Sequence, residues 1–540
     1  MKTYGIYVAY PPWTQLEGEG LGRYLAAFVR GASQSGQARF VIACPGWTRP
    51  GLESLFKKSG VPDDAVEFLA PRGVPGVIRL ASRRRRKDGV QAPPRTRIKR
   101  RRWSGLRHTV AAALGRLVTS RQVLLLLVVS VLVSVATLPL LLVGGLLGLA
   151  GKGLSRVLKR PLRSTRDGLS SAKRRFRRGL EKLSMSRAMY EAELQMVHRL
   201  IDGRSDVTAW YCPTAFWPSF NRIRGPRVLC VPDFVVSLAP VAFAHLGGEA
   251  FRGTIEKIEQ TIRGGDHFIT YSEHVKHDTL VKRFGTAAGK VTVVPHGANT
   301  LDNVLQAAAK GGSVEEVSAR LLAKALTKAE AIDGRLPVVS GHSLGPYLFY
   351  ASQLRPHKNV GTLLKAFRWL LDEEHLSHRL VMTCSPSMSP KIQQLVSQLH
   401  LHDDVLFLVR LSEEELAACY HQADLAVNPT LSEGACPFTF TEALSVDTPV
   451  VMSRIEVTEE VITDRQLQSA MLFDPYDWRD MARVIRQGVE RRDELLALQQ
   501  EAYRSLARRT WREVSHDTIS ALDAAAGEGV SEPRLRRRPA

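Results

Sequence analysis

The sequence has 540 residues, 44% hydrophobic and 24% charged, which is enough for two or three domains with buried cores and too apolar for general disorder. Its formal net charge of +22 is not ordinary, and its location decides which partner it implies. The charge is concentrated: 15 Lys and Arg stand against Asp88 alone between Arg79 and Arg121, and 11 against Asp167 alone between Lys152 and Arg178.

The basic character therefore belongs to one insertion, and the remainder of the chain is close to neutral. The six cysteines (Cys44, Cys212, Cys230, Cys384, Cys419 and Cys436) are scattered, with no CxxC pair and no zinc-like His pattern. That distribution points to a reduced, cytoplasmic setting rather than a disulfide framework. The opening MKTYGIYVAY reads as a short strand and lacks the long apolar core of a signal peptide.

In chain order, Tyr4–Tyr10 reads as a buried strand, followed by a glycine-rich turn and a helix over 22–33. Phe40–Cys44 and Val66–Leu69 are strands with a short helix, Gly51–Lys58, between them. The alternation stops near Gly73 and resumes with a helix over Arg187–Leu200. Strands follow at Ala209–Cys212, Val228–Val231, His267–Thr270 and Val291–Val294. A helical stretch leads to a second series of strands, Tyr347–Tyr350, Leu380–Cys384, Val405–Leu408, Leu425–Asn428 and Pro449–Met452. One long helix is predicted from Trp478 to about Ala507. Strand–helix alternation of this kind predicts an α/β fold of two Rossmann-like domains with parallel sheets facing a cleft. The first domain is assigned to 1–75 and 185–300, the insertion to 76–184, and a helical linker to 301–343. The second domain is assigned to 344–490, helices returning to the first domain to 491–525, and a basic tail to 526–540.

Within the insertion, Val123–Ala150 is an uncharged run of 28 residues, long enough as a helix to cross about 30 Å of hydrocarbon. A core helix is rarely apolar on every face for so long. A single crossing would split one sheet across the membrane, whereas Pro139 and Gly144-Gly145 offer a break near the middle. Positive charge on both flanks keeps both ends on the cytoplasmic face. These features predict a membrane-associated helical hairpin and a location at the cytoplasmic face of the inner or plasma membrane. The arginine runs 83–86 and 100–102 lack interleaved aromatics apart from Trp103 and Phe176, so anionic lipid is the expected partner and nucleic acid is not.

The strongest chemical signal is Asn428-Pro-Thr-Leu-Ser-Glu433-Gly434-Ala435-Cys-Pro-Phe438-Thr439-Phe-Thr-Glu442-Ala-Leu, followed by the strand Thr448-Pro-Val-Val-Met. It reads as a strand, a loop and a helix start, with backbone N–H groups suited to a phosphate and two carboxylates suited to hydroxyls. Either glutamate alone reads more simply as a surface residue on a capped helix. The second signal is Tyr350-Ala-Ser-Gln-Leu-Arg355-Pro-His-Lys358-Asn359, a strand running into a cationic turn. In the first domain, Glu17-Gly18-Glu19-Gly20-Leu21-Gly22-Arg23-Tyr24 follows a strand and opens a helix. Asp233 ends a strand, where a loop cap is an equally good reading. Ser272-Glu273 and Pro295-His296-Gly297-Ala-Asn299 end two others.

These motifs resemble the retaining GT-B glycosyltransferases of family four, the glycosyl transferases group 1. The resemblance implies a donor-binding second domain and an acceptor-binding first domain. It implies that Glu442 binds the nucleotide ribose, that Glu433 faces the transferred sugar, and that Lys358 neutralises the diphosphate, with Arg355 substituting for the usual arginine. Gly434, Ala435, Phe438, Thr439, Gly20, Gly22 and His296 fall on donor-binding positions, and Asp233 on a catalytic one. Eight residues separate the two glutamates where the family has seven, and Ser352 and Gln353 occupy the usual arginine positions. The implied reaction moves a hexose, mannose or glucose, from a nucleotide-sugar to a lipid-linked or polysaccharide acceptor with retention, using no metal and no cofactor. A second reading is a non-catalytic, membrane-associated scaffold on a degenerate GT-B fold.

Overall fold

The β-branched and aromatic runs pair into two parallel sheets, and the amphipathic stretches between them pack as crossover helices. The structure is a computed structural model describing residues 1–12, 14, 16, 20–36, 38–75, 78, 185–237, 249–333, 344–385 and 389–528. The first series comprises β1 (Lys2–Tyr7), α1 (Gly20–Ser35), β2 (Ala38–Ala43), α2 (Arg49–Lys58) and β3 (Val66–Leu69). It continues with α3 (Met185–Asp202), β4 (Val207–Cys212), β5 (Arg227–Cys230), α4 (Glu249–Arg263), β6 (His267–Thr270) and β7 (Val291–Val293). The second series begins with α5 (Asp302–Ala309), α6 (Val314–Asp333), β8 (Tyr347–Tyr350), α7 (Val360–Asp372), β9 (Arg379–Met382), α8 (Pro390–Gln398) and β10 (Val405–Phe407). Next come α9 (Glu413–His421), β11 (Leu425–Asn428), α10 (Phe438–Leu444), β12 (Val450–Ser453), α11 (Glu456–Val461), α12 (Arg465–Met471) and β13 (Leu472–Phe473). Three helices close the described chain: α13 (Trp478–Glu490), α14 (Arg492–Ala507) and α15 (Trp511–Glu528).

The first sheet has the order β3-β2-β1-β4-β5-β6-β7 and the second β10-β9-β8-β11-β12-β13. Every pair is parallel. Strand order reverses between β1 and β4 in one sheet and between β8 and β11 in the other. The loops leaving those strands diverge there and open a crevice at the carboxyl ends. In the second sheet the two loops are the cationic turn after β8 and the acidic loop after β11, so topology alone brings Lys358 and Glu433 to one place.

Each sheet has its own core. Phe349, Phe367, Tyr420 and Phe440 anchor the second, which also takes in Leu301 just ahead of α5, Leu305 of α5, and Leu322 and Leu326 of α6. Phe28, Phe40, Tyr211 and Phe220 anchor the first, joined by Val514 and Leu522 of α15. The chain passes between the domains at 295–301 and again at 508–511, and the two crossings touch. Arg509 Nε donates to the Pro295 carbonyl at 2.8 Å, and the Ala298 amide donates to the Arg509 carbonyl at 3.3 Å.

The helix expected over 478–507 is two helices, broken at Arg491 (φ −118°, ψ 40°). No glycine or proline marks that break. The short strand β13 and a wide-turned helix at Val275–Arg283 also escaped the sequence reading. The expected localisation at a membrane through 123–150 is corrected: among the described residues, no helix is long and apolar enough to cross a membrane. Segment 123–150, like the rest of 79–184, lies outside those residues. Even α6, a helix of 20 residues, carries Glu315, Glu316, Arg320, Lys324, Lys328 and Glu330, and a charge at the middle of a bilayer costs about 3 kcal/mol.

One close approach tests the first core. A Cβ on Gly5 would lie 2.1 Å from the indole of Trp210, where the β1–β4 register shifts. Gly5→Ala is expected to lower stability by about 1–3 kcal/mol through overpacking, read by differential scanning calorimetry. An unchanged melting temperature would mean that the indole moves aside freely.

Candidate active site

The cationic turn is built by Pro356, which opens a short 3₁₀ turn, and by Asn359 in the left-handed region at φ 54°. Asn359 ends that turn and starts α7. Its amide group donates to the Pro475 carbonyl at 2.7 Å, and its side-chain oxygen accepts from the Thr362 hydroxyl at 2.6 Å. Turn and acidic loop are braced to each other. The His357 carbonyl accepts from the Leu431 amide at 2.7 Å and from the Thr430 hydroxyl at 3.3 Å. On that frame Lys358 Nζ donates to Glu433 Oε1. Their side chains are 18% and 19% exposed, shielded enough to make the pair stronger than an open surface bridge. His357 between them is buried, and burial first and then Lys358 push its pKa down to about 4. It therefore adds no charge near neutral pH.

Asp233, after β5, faces this pair from the first domain. It is open to the cleft yet lies deep between the domains, and the surrounding protein raises its pKa. Glu433 adds to that rise, while Lys358 and Arg355 oppose it. Its Oδ1 also caps the Val235 amide at 3.2 Å, so the loop-cap reading holds as well. Arg355 is exposed and bonded to Gln353 Oε1 at 3.1 and 3.3 Å, so the side chain at a position where arginine was expected contacts the arginine expected to substitute for it.

The acidic loop is where the domains meet. A Cβ on Gly434 would fall 1.8 Å from the Pro232 carbonyl oxygen, so only glycine permits this approach. The Ser272 hydroxyl donates to the Gly434 carbonyl at 2.9 Å. The amides of Glu273 and His274, opening the helix over 275–283, donate to the Glu460 carboxylate at 2.9 and 3.1 Å. His296 packs against the half-exposed Phe438 at 4.2 Å between ring centroids, with the rings tilted by 35°. Its ring nitrogens lie 3.0 Å from the Gly297 carbonyl and 3.1 Å from that of Cys436. Burial lowers its pKa, against those two carbonyls.

Glu442 lies one turn into α10 and is 9% exposed. Tyr420 donates to its Oε2 at 3.1 Å, and Asn299 Nδ2 donates to its Oε1. Burial raises its pKa first of all. Two sites named from sequence turn elsewhere. Thr439 is buried and accepts from Asn428 Nδ2 at 3.1 Å. Gly22 faces the Leu16 carbonyl, which a Cβ would approach to 2.4 Å. Gly20 is exposed at the start of α1, and Ala435 is half-buried in the loop. Asn299, Tyr420 and Glu460 were not singled out from sequence. Asn299 closes a motif that was noted, but Tyr420 and Glu460 stand on separate helices with no local signal.

Among the described residues, no group of three His, Cys, Asp or Glu could hold a metal ion. A hollow of about 540 Å³ lined by Pro346, Arg379 and Asp404 sits at the amino ends of β8, β9 and β10, on the far side of the sheet from this site.

Gly434→Ala is expected to push the acidic loop off Pro232 and open the molecule. Small-angle scattering should report a larger radius of gyration, whereas an unchanged one would place the contact outside the forces that hold the domains together.

Known proteins share the fold of this chain and the family of its second half. Residues 341–505 match the family model for Glycosyl transferases group 1. The O-antigen chain mannosyltransferase RfbU of Salmonella typhimurium is 32% identical over 136 residues, 24% of this chain and 36% of its own. The MMP alpha-(1->4)-mannosyltransferase of Mycolicibacterium hassiacum is 29% identical over 171 residues, 32% of this chain and 41% of its own. The chain thus spans about two fifths of the length of the curated relatives it matches. A solved glycosyltransferase from Rickettsia africae aligns over 97% of this chain and 98% of that one, with a TM-score of 0.51 at 10% identity. The chain therefore has the GT-B fold, two Rossmann-like domains facing each other, and carries a Glycosyl transferases group 1 domain at 341–505.

Proposed function

We propose that the chain is a retaining hexosyltransferase that moves mannose from a nucleotide-sugar to a hydroxyl of a glycan acceptor. The observation that carries this reading is the Lys358–Glu433 pair at the switch point of the second sheet, facing Asp233 across the cleft. The choice of mannose rests on the mannosyltransferases to which the chain is similar.

In this reading the diphosphate takes the place that the Glu433 carboxylate holds beside Lys358. The lysine then offsets the charge that grows on the phosphate as the anomeric C–O bond breaks. Glu433, released from the lysine, turns to hydroxyls of the transferred sugar. The acceptor oxygen bonds to the anomeric carbon on the face the phosphate leaves, and its proton passes to the departing phosphate oxygen. Retention follows from that same-face exchange. Amides of the Gly434–Ala435 loop add donors to the phosphate, so the step requires neither a metal nor a cofactor. The closeness of Pro232 to Gly434 belongs to a closed arrangement, which would exclude water from the reacting centre.

Turnover of a panel of UDP-, GDP- and ADP-linked hexoses in the presence of glycan acceptors tests the proposal. Transfer from one of them with retained configuration by NMR supports it, and nucleotide binding without transfer would favour a scaffold. Lys358→Ala is expected to reduce kcat by about 10²–10³ with little change in sugar binding, the scale of one lost transition-state donor. Wild-type turnover would remove the lysine from the site. Glu442→Ala is expected to weaken nucleoside diphosphate binding about ten- to hundredfold, measured by calorimetry.

A further inference from the structure

Asn299 stands where the chain crosses from the first domain to the second, three residues after His296. The segment around it is tied on both sides. Behind it, Pro295 and Ala298 bond to Arg509 in the return crossing. Ahead of it, the Leu301 amide donates to the Ser445 hydroxyl at 2.9 Å. Between these anchors, Asn299 contacts α10 twice. Its backbone amide donates to the Thr441 hydroxyl at 3.2 Å, and its side-chain amide donates to Glu442 Oε1. The hinge therefore grips a carboxylate of the other domain directly.

Glu442 needs that grip. A buried carboxylate is costly unless hydrogen-bonded, and only two side chains bond to it among the described residues, Asn299 from the hinge and Tyr420 from α9. The charged groups facing it are Arg23 at the start of α1 and Glu413 on α9, of opposite effect. Each carboxylate oxygen has two acceptor positions, so one on each oxygen is left for a ligand hydroxyl. The two donors thus fix which direction remains open.

We propose that Asn299 is a positioning residue: carried on the hinge, it aims the Glu442 carboxylate at the nucleotide ribose and ties that aim to the angle between the domains. The inference rests on the nucleotide-sugar reading above. An arginine or lysine at 299 would hold the charge more strongly but would not match the side-chain amide's short reach to Glu442. Closure then does more than cover the donor, because moving the hinge moves the group that receives the ribose.

The test is calorimetric titration of the full chain with UDP and GDP across a pH series, for wild type, Asn299→Ala, Asn299→Asp and Glu442→Gln. Ribose hydroxyls are accepted by the ionised carboxylate, so affinity is full above the pKa of Glu442 and falls as pH drops through it. Losing the Asn299 donor moves that fall to higher pH. Asn299→Ala should therefore bind about ten- to hundredfold more weakly near pH 6 and recover most of the loss near pH 9. Asn299→Asp, equal in size and placing a second carboxylate against the first, should shift the profile further the same way. Should Asn299→Ala fail to fold, Asn299→Asp decides. A wild-type profile in the variants, or a loss equal at every pH, overturns the proposal while leaving the nucleotide reading intact if Glu442→Gln binds weakly. If Glu442→Gln binds as well as wild type, the ribose role itself fails and this proposal fails with it.

Discussion

A lysine and a glutamate held at the mouth of a parallel sheet set the terms for the rest of the site. Lys358 and Glu433 come from loops that leave adjacent strands in opposite directions, and they are braced by the His357 carbonyl, which takes two hydrogen bonds from the facing loop. Partly shielded, each ion needs the other, and in the proposed reaction a diphosphate replaces the carboxylate at the ammonium. The neutral state of His357, enforced by burial and by that same lysine, keeps the local charge balance simple. In that proposal Lys358 is the cation beside the phosphates, and Arg355 is a second positive charge near the same cleft.

The second constraint is contact between domains. Hydrogen bonds from Ser272, Glu273, His274, His296 and Asn299 cross to the second domain. Those of Ser272, His296 and Asn299 converge on the acidic loop and α10, and those of Glu273 and His274 on Glu460 of α11. Such polar junctions are individually weak, about 1 kcal/mol each after exchange with water, which suits a joint that opens and closes. The Glu460 carboxylate at the start of the helix over 275–283 is of the same kind, an acid seated on free backbone amides.

The architecture was legible in the sequence because parallel sheets write themselves as apolar runs with helices between. The strand at Val66–Leu69 and those at His267–Thr270 and Tyr347–Tyr350 fall on the residues expected. Lys358 and Glu433 were legible as motifs, and their meeting follows from strand order. What stayed hidden was set by tertiary packing. Tyr420 reaches Glu442 from a different helix, Glu460 caps a helix in the other domain, and Thr439 turns inward to Asn428. The break at Arg491 carries none of the residues that usually end a helix. The apolar stretch at 123–150 dominated the sequence reading of localisation, but that location is not upheld by any described helix.

The last described helix, α15, belongs to the first core rather than the second. Val514 and Leu522 are buried there, the Ser515 hydroxyl donates to the Phe28 carbonyl at 2.7 Å, and Asp523 receives Lys2 and Tyr4 at 2.9 and 2.7 Å. On the ribosome, β1 thus waits for α15 before its sheet is covered. The second domain has all of its strands in one unbroken stretch and can close while translation continues. The order of synthesis is thereby reversed in the order of completion: the second domain can close first, and the first is sealed only once α15 has emerged.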